Sequence, residues 1–339
     1  MKIMESHAYI KKVVKETEPL LRYDGKEDYE SWSQRASAKL YELLGLPLKS
    51  CEELFEVTAE VDCKDYRRID FNFQSEEGYF VPGSFLMPKA VKLPRPLVVC
   101  IQGHSTGMHI SLGIERFSRD HESIANGRDF AVRAVQEGYC AIVLEQRYMG
   151  VCGQSEIGIP YCSMKNAALP ALLMGRCAIG ERVWDVQRLL DVVENHFSEY
   201  VDMKRIICMG NSGGGTVTFY VSCVDERIQL AMPSCSVCEF DDSIIPIHHC
   251  CCNYIPGIRK YFEMGDMAGL LASRKLVIVC GILDPDFPIA GVEKSYERAR
   301  NVFKHLGKED NCCIVTGPAG HQFYPDLAWP VANKLLVAE

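Results

Sequence analysis

Ser212 has the sequence context of a nucleophile. It lies in Gly210-Asn-Ser-Gly-Gly214, directly after the apolar run 205–209 and before a helix-like run over 216–222. A serine between small residues can occupy a sharp strand-to-helix turn, where neighbouring side chains would clash. Such a turn exposes the hydroxyl and directs free N–H groups of the next helix toward the group under attack. The alternative is a glycine-rich turn with a solvent-facing serine.

A histidine suited to act as the general base follows the last predicted strand. His321 ends the sequence Gly317-Pro-Ala-Gly-His321, just beyond the apolar run 311–315. From a small, glycine-rich loop an imidazole can reach back over the sheet and take a proton from a serine hydroxyl. A lone loop histidine is more often a surface residue, but the strand-end position favours the base.

Two carboxylates compete for the third role, which is to hold the imidazole in its correct tautomer. Asp284 and Asp286 both follow the apolar run 275–280, in the sequence Leu283-Asp-Pro-Asp-Phe-Pro288. Either acid could instead cap the helix predicted from about residue 289. Asp286 is better placed for that cap, and Asp284 is closer to the strand end. We therefore predict Asp284 as the acid, with Asp286 as the alternative.

A nucleophilic serine also needs two backbone donors for the oxyanion that forms. The N–H of Gly213, the residue after the nucleophile, is the first candidate. The second is the N–H of His104, in the loop Gln102-Gly-His-Ser-Thr-Gly107 that follows the predicted strand 96–101. Glu145 and Arg147 end another predicted strand. We interpret them as a structural ion pair, with an alternative role in orienting this loop.

The elements that must position these residues change in character near Pro94. Before it, three alternating segments (55–61, 66–73 and 78–87) are typical of antiparallel strands. After it, continuous apolar strands alternate with predicted helices over about 127–138 and 179–196. This alternation predicts an α/β fold with a mostly parallel central sheet and helices on both faces. The predicted parallel strands are 96–101, 139–144, 205–209, 228–232, 275–280 and 311–315.

The chain divides into two predicted parts. Residues 1–50 read as a helical extension packed on the core, because apolar residues recur at helical spacing in two stretches. Residues 51–339 form the main domain. Within it, residues 239–271 interrupt the strand–helix rhythm, which predicts an inserted, lid-like pocket wall.

Composition excludes several classes of protein. The 339 residues carry a net charge of −8 and no basic block, which argues against a nucleic-acid partner. No apolar run is long enough for a membrane span, and the N-terminus lacks the pattern of an export signal. The 17 cysteines are odd in number and irregularly spaced, so we expect a reducing cytoplasm. The cluster His248-His-Cys-Cys-Cys252 lacks metal-ligand spacing and is interpreted as packing or pocket lining.

Together these motifs resemble the α/β-hydrolase superfamily, and within it the dienelactone hydrolase-like branch that includes acetyl xylan esterase-like proteins. The resemblance covers roughly residues 55–339, and Ser, Asp and His follow one another in the chain order of that superfamily. The motifs that carry the resemblance are Gln102-Gly-His-Ser, Glu145-Gln-Arg-Tyr-Met-Gly150, Arg182-Val-Trp-Asp-Val-Gln-Arg188, Gly210-Asn-Ser-Gly-Gly, Gly281-Ile-Leu-Asp-Pro and Gly320-His.

The resemblance implies a Ser212–His321–Asp284 triad that hydrolyses a small acyl ester, such as an acetyl ester of a sugar or xenobiotic. It implies no metal and no organic cofactor. We expect a small-molecule substrate and a possible homo-oligomer, without a membrane or nucleic-acid partner. Two alternatives are a peptidase or amidase on the same fold, and a non-catalytic binding protein that keeps the hydrolase fold.

Overall fold

One nine-stranded sheet organises the molecule. A computed structural model describes residues 4–153 and 164–337. The sheet order is β1-β2-β3-β5-β4-β6-β7-β8-β9. The strands are β1 (Glu56–Asp62), β2 (Tyr66–Glu76), β3 (Tyr79–Pro88), β4 (Arg95–Ile101), β5 (Cys140–Leu144), β6 (Val201–Asn211), β7 (Ile228–Ser234), β8 (Lys275–Gly281) and β9 (Cys312–Gly317).

The change of sequence character near Pro94 coincides with a change of strand direction. The pairs β1–β2, β2–β3 and β3–β5 are antiparallel, and every pairing from β5–β4 through to β8–β9 is parallel. The exposed, alternating strand β1 lies at the edge, and strand β4, buried along nearly all its length, lies near the middle. The predicted α/β fold with a mostly parallel sheet is thus confirmed.

Helices cover both faces of the sheet, so each central strand is apolar on both sides. In β4, Val98 and Cys100 join a core with α4 and α10, whereas Leu97 and Val99 join the core on the opposite face. The helices are α1 (Ser6–Glu16), α2 (Tyr29–Leu43), α3 (Asp120–Ser123), α4 (Phe130–Gln136), α5 (Met164–Leu173), α6 (Ala178–Val192), α7 (Gly213–Val224), α8 (Met264–Ala268), α9 (Ile289–His305) and α10 (Pro325–Val337).

Two predicted helices differ in length from the observed ones. The helix expected over 127–138 begins only at Phe130, because a π turn over Ile124–Arg128 precedes it and Gly127 there has a φ of 73°. The helix expected over 179–196 ends as α6 at Val192 and continues into a π turn.

The N-terminal segment contacts the residues predicted as an insertion. Helix α1 buries no side chain, whereas α2 buries Trp32, Ala36 and Leu40 at helical spacing. Between the helices, the N–H groups of Leu20 and Leu21 donate to the carbonyls of Lys260 and Tyr261, at 3.0 Å each. The division into residues 1–50 and 51–339 stays a prediction.

Residues 239–271 contain turns, short 3-10 segments and α8 rather than a long helix or strand. Within the described parts of the chain, no helix is both long and apolar enough to cross a membrane. All cysteines in those parts are free thiols. The predicted compartment stays a prediction.

Candidate active site

The turn that carries Ser212 joins β6 to α7. Ser212 has φ 58° and ψ −125°, which is a strained conformation for a residue with a side chain. Its N–H donates to the carbonyl of Ser234 at the end of β7, and the Ser234 hydroxyl donates to Oδ1 of Asn211 at 2.8 Å. The neighbouring strand therefore holds the strained turn in place.

The glycines on either side of the turn are required by close backbone approach. A Cβ at Gly210 would lie 2.6 Å from the Gly214 carbonyl oxygen, and a Cβ at Gly214 would lie 2.1 Å from that of Ile101. Real Cβ atoms do not come so close to backbone, so the first and last glycines of the Gly-x-Ser-x-Gly pattern are steric requirements of this turn.

His321 and the first of the two candidate acids form a close pair. The Nδ1 of His321 donates to Oδ2 of Asp284 at 2.9 Å, and the Asp284 side chain is fully buried. Asp286 lies farther away, at 3.9 Å from the same Nδ1, and its side chain is 49% exposed. The structure shows no side-chain cap at the start of α9, so neither acid takes the alternative capping role there.

Several groups keep Asp284 ionised. Burial by itself raises the pKa of Asp284. The hydrogen bond and charge of His321 lower this pKa, and so do hydrogen bonds from the N–H groups of Asp286 and Phe287. The two N–H groups donate to Oδ1 at 2.9 and 3.2 Å. The net result is a pKa below the usual value of 3.8. An ionised carboxylate with both oxygens occupied is suited to orienting an imidazole.

Ser212, His321 and His104 line one cavity of about 460 Å³, together with Asn211 and Asp286. A smaller cavity of about 160 Å³ adjoins Ser212 and Gly213 and is lined by the His248–Cys250 part of the cysteine-rich cluster. The predicted pocket-wall segment thus reaches the space above the serine.

The predicted oxyanion loop lies directly against the turn. A Cβ at Gly103 would be 2.5 Å from the carbonyl oxygen of Asn211 and 3.0 Å from Cβ of Ser212. The ring of His104 lies beside Gly213, about 3.0 Å from where a Cβ on that glycine would be. Gly213 is the first residue of α7, where helical N–H groups have no intrahelical partner. The arrangement suits the two predicted backbone donors.

The proposed pair between Glu145 and Arg147 does not form between these two described side chains, which corrects the sequence interpretation. Arg147 pairs instead with Asp185 of α6, from Nε to Oδ2 at 2.7 Å, and with Glu76 at 2.6 Å. The alternative, in which the two side chains orient the loop after β4 as an ion pair, is therefore wrong as well. Glu145 alone contacts the end of that loop, because its carboxylate accepts from the N–H of Met108 at 3.1 Å. Burial raises the pKa of Glu145 to about 8.

Sequence reasoning missed two residues that hold the histidine loop. The ring of Phe287 stacks on His321, with centroids 5.9 Å apart and planes 17° apart. Cys235, buried with φ 48°, donates through Sγ to the carbonyl of Gln322 at 3.3 Å. The positive φ of Cys235 has no sequence signal, and Phe287 differs from other apolar residues only in following Asp286.

One group of side chains near the serine offers metal-ligand atoms. The ring of His104 and the thiols of Cys250 and Cys252 have ligand atoms within 4.8 Å of one another. Thiolate and imidazole are ligand types that Zn²⁺ takes, but three ligands are one fewer than a structural zinc site uses. Cys235, Asp284 and His321 form a second such group, which coincides with the acid–histidine pair.

The sequence matches known hydrolases, in agreement with the observed fold. Residues 2–306 match the model of an Abhydrolase family. A Bacillus subtilis protein named "Putative hydrolase YtaP" is 24% identical over 250 residues, which cover 71% of this chain and 77% of that protein.

Two solved structures are similar over nearly the whole chain. A Bacteroides fragilis protein described as a "putative acetyl xylan esterase" has a TM-score of 0.81 at 16% identity, covering 98% of this chain and 96% of that one. A glucuronoyl esterase from Solibacter usitatus has a TM-score of 0.70 at 14% identity, covering 95% and 98%. At these identities the likeness concerns the fold. The family match spans most of the sequence, and on that ground the chain belongs to the Abhydrolase family and has the α/β-hydrolase fold.

Proposed function

We propose that this protein is a serine hydrolase of carboxylic esters, with Ser212 as nucleophile, His321 as general base and Asp284 as the acid that orients it. The observation that carries the proposal is the 2.9 Å pair of His321 with the buried Asp284, because His321 lines one cavity with a strained serine. Esterases among the proteins of similar fold support the choice of an ester over another acyl compound.

In the proposed reaction, Oγ of Ser212 attacks the ester carbonyl carbon while Nε2 of His321 takes the hydroxyl proton. The negative charge on the carbonyl oxygen is stabilised by the N–H groups of Gly213 and His104. The carbon–oxygen bond to the alcohol then breaks, and His321 gives its proton to the departing alcohol. Water, deprotonated by His321, cleaves the acyl-enzyme and releases the carboxylic acid and free Ser212.

The remaining expectations belong to the same proposal. The reaction uses no metal or organic cofactor, and the substrate is a small acyl ester, such as an acetyl ester of a sugar or xenobiotic. The protein acts in a reducing cytoplasm as a homo-oligomer, without a nucleic-acid or membrane partner.

Hydrolysis of para-nitrophenyl acetate by the wild type and by Ser212→Ala tests the proposal. Removal of the nucleophile should reduce kcat by at least about 10⁴-fold. The matched control is Ser222→Ala on helix α7, which follows Ser212, since the Ser222 hydroxyl is buried without a hydrogen-bond partner in the described structure. This control should keep wild-type activity. Full activity in Ser212→Ala, or none in the wild type, would reject the proposal. Faster hydrolysis of para-nitroacetanilide than of the ester would favour the amidase alternative.

A further inference from the structure

A half-buried arginine lines the cavity of Ser212 and His321. Arg128 ends the π turn over Ile124–Arg128, just before α4. Its carbonyl oxygen accepts a hydrogen bond from Nε2 of Gln102, at 2.5 Å. Because Gln102 begins the predicted oxyanion loop, the backbone of Arg128 is fixed to the same loop that lies against the serine.

The guanidinium of Arg128 lacks a protein partner in the described structure. Its Nε and Nη2 atoms are buried and make no hydrogen bond. The ion pairs of residues 4–153 and 164–337 do not include it, and burial alone lowers its pKa. Guanidinium stays protonated in proteins, and a buried charge without a partner is costly. A cation kept in this state beside a cavity is suited to an anion that enters the cavity.

Arg128 is also close to the reacting atoms. The position that a Cβ on Gly103 would occupy is 3.3 Å from Nη2 of Arg128 and 3.0 Å from Cβ of Ser212. The absence of a side chain at Gly103 therefore leaves the guanidinium and the serine as near neighbours. A group recognised by Arg128 must lie within a few bonds of the ester carbonyl that Ser212 attacks.

The carboxylates of the cavity do not neutralise this charge. Glu122 and Asp286 also line the cavity, but Glu122 is exposed, Asp286 is half exposed, and neither pairs with Arg128 in the described structure. One unpaired guanidinium and two carboxylates along the same cavity favour a small ligand with a single carboxylate over a polyanion, which the two acids would repel. The planar fork of Arg matches a carboxylate in two parallel hydrogen bonds.

We propose that Arg128 is a specificity-determining residue, and that the substrate is an ester carrying a free carboxylate next to the scissile bond. The inference rests on the proposed ester hydrolysis. The carboxylate could belong to the acyl group, as in a dicarboxylic acid monoester, or to the alcohol, as in an acylated hydroxy acid. Both present the same chemistry to the guanidinium.

Two pairs of esters of nearly equal size separate these sources. In the acyl pair, mono-para-nitrophenyl glutarate is compared with the neutral para-nitrophenyl valerate. In the alcohol pair, O-acetyl lactate is compared with O-acetyl lactamide by acetate release. We expect the wild type to prefer the charged member of one pair by at least about tenfold in kcat/KM, the usual effect of one charge-assisted contact.

Substitution of Arg128 then tests its role. In Arg128→Gln the ratio of charged to neutral kcat/KM should fall at least tenfold, and Arg128→Lys should keep an intermediate ratio. The control Arg300→Gln removes an arginine of helix α9 that pairs with Glu309. This variant should leave kcat/KM for the charged and the neutral ester unchanged. Equal losses on both members of a pair would overturn the proposal, because they indicate a role in oxyanion binding or folding. Preference for neither charged ester in the wild type would also overturn it.

Binding gives a readout that does not depend on turnover. Glutarate or lactate, the corresponding products, should raise the Tm of the Ser212→Ala variant and should not raise that of Ser212→Ala/Arg128→Gln. Anion-dependent stabilisation that survives loss of Arg128 would reject the site. If the wild type hydrolyses no ester and Arg128-dependent stabilisation is still seen, the proposed function fails and the anion site stands.

Discussion

His321 donates from Nδ1 to a fully buried carboxylate oxygen of Asp284 across 2.9 Å. This contact leaves Nε2 of the imidazole as the atom that can face the cavity. If Asp284 orients the base, its amide must fail where its carboxylate succeeds, because an amide nitrogen at that position would favour the wrong tautomer.

We therefore expect Asp284→Asn to lower kcat for para-nitrophenyl acetate by roughly 10⁴-fold, with KM little changed. Asp286→Asn is the matched control, since its carboxylate lies 3.9 Å from the same nitrogen and is half exposed. Its kcat should fall by less than about tenfold, because solvent screens the interaction of an exposed charge. Similar losses in both variants would contradict the assignment of Asp284.

The close contacts in the nucleophile turn predict that alanine substitutions of its glycines differ in their effects on stability and activity. Gly214→Ala places a Cβ 2.1 Å from the backbone oxygen of Ile101, which cannot move without distorting β4. We expect it to destabilise the fold by about 2 kcal/mol or more and to abolish activity. The nearest atoms to a Cβ at Gly213 belong to side chains, His104 at 3.0 Å and Met149 at 3.6 Å, so Gly213→Ala should have milder effects on stability and activity. Urea unfolding and kcat measured together would test this; equal effects would argue against it.

The buried Glu145 predicts a pH dependence of stability. Its pKa is raised to about 8 in the folded state from a usual value of 4.5. The folded state therefore binds the proton more tightly, so the free energy of unfolding falls as pH rises toward 8. We expect Glu145→Gln to remove roughly 2 kcal/mol of this fall between pH 6 and pH 8. Unfolding curves at these two pH values would show it, and identical slopes for both proteins would contradict it.

For the ion pair of Arg147 and Asp185, we expect removal of one partner to destabilise the fold more than replacement of both partners by apolar residues. Asp185 is buried and accepts from Nε and Nη2 of Arg147 at 2.7 and 2.8 Å. Asp185→Asn should cost about 3 kcal/mol, because it leaves a buried guanidinium less well compensated. The double variant Arg147→Met/Asp185→Leu should cost less than the single one in urea unfolding. A larger loss in the double variant would show that the pair stabilises in its own right.

The parts of the site predicted from sequence are those fixed by local chain geometry. Backbone contacts within a few residues or with the adjacent strand exclude a side chain at Gly210 and Gly214. The requirement for glycine is therefore visible as a sequence motif. Asp284 and His321 follow strand ends, and the carboxyl ends of parallel strands meet at one edge of the sheet. The predicted strands from 96 onward match the observed ones for the same reason, since buried parallel strands are apolar throughout.

The parts that sequence could not supply depend on how distant elements dock. Arg147 pairs with Asp185 rather than Glu145 because α6 brings Asp185 to the end of β5. This contact between distant parts of the sequence cannot be predicted from local residue spacing. Arg128 has no motif around it, and only the structure shows that its Nε and Nη2 are buried without partners. Phe287 is one apolar residue among many until its ring is found stacked on His321.

The pairing of Leu20 and Leu21 with Lys260 and Tyr261 bears on where a minimal active protein would begin. Helix α1 buries no side chain, so removal of residues up to Glu16 should leave the enzyme intact. Removal through Leu21 would release the backbone partners of the segment that reaches the pocket. We therefore expect the smallest active form of the protein to start between Glu16 and Leu20, with α1 dispensable for activity and residues 20 and 21 required.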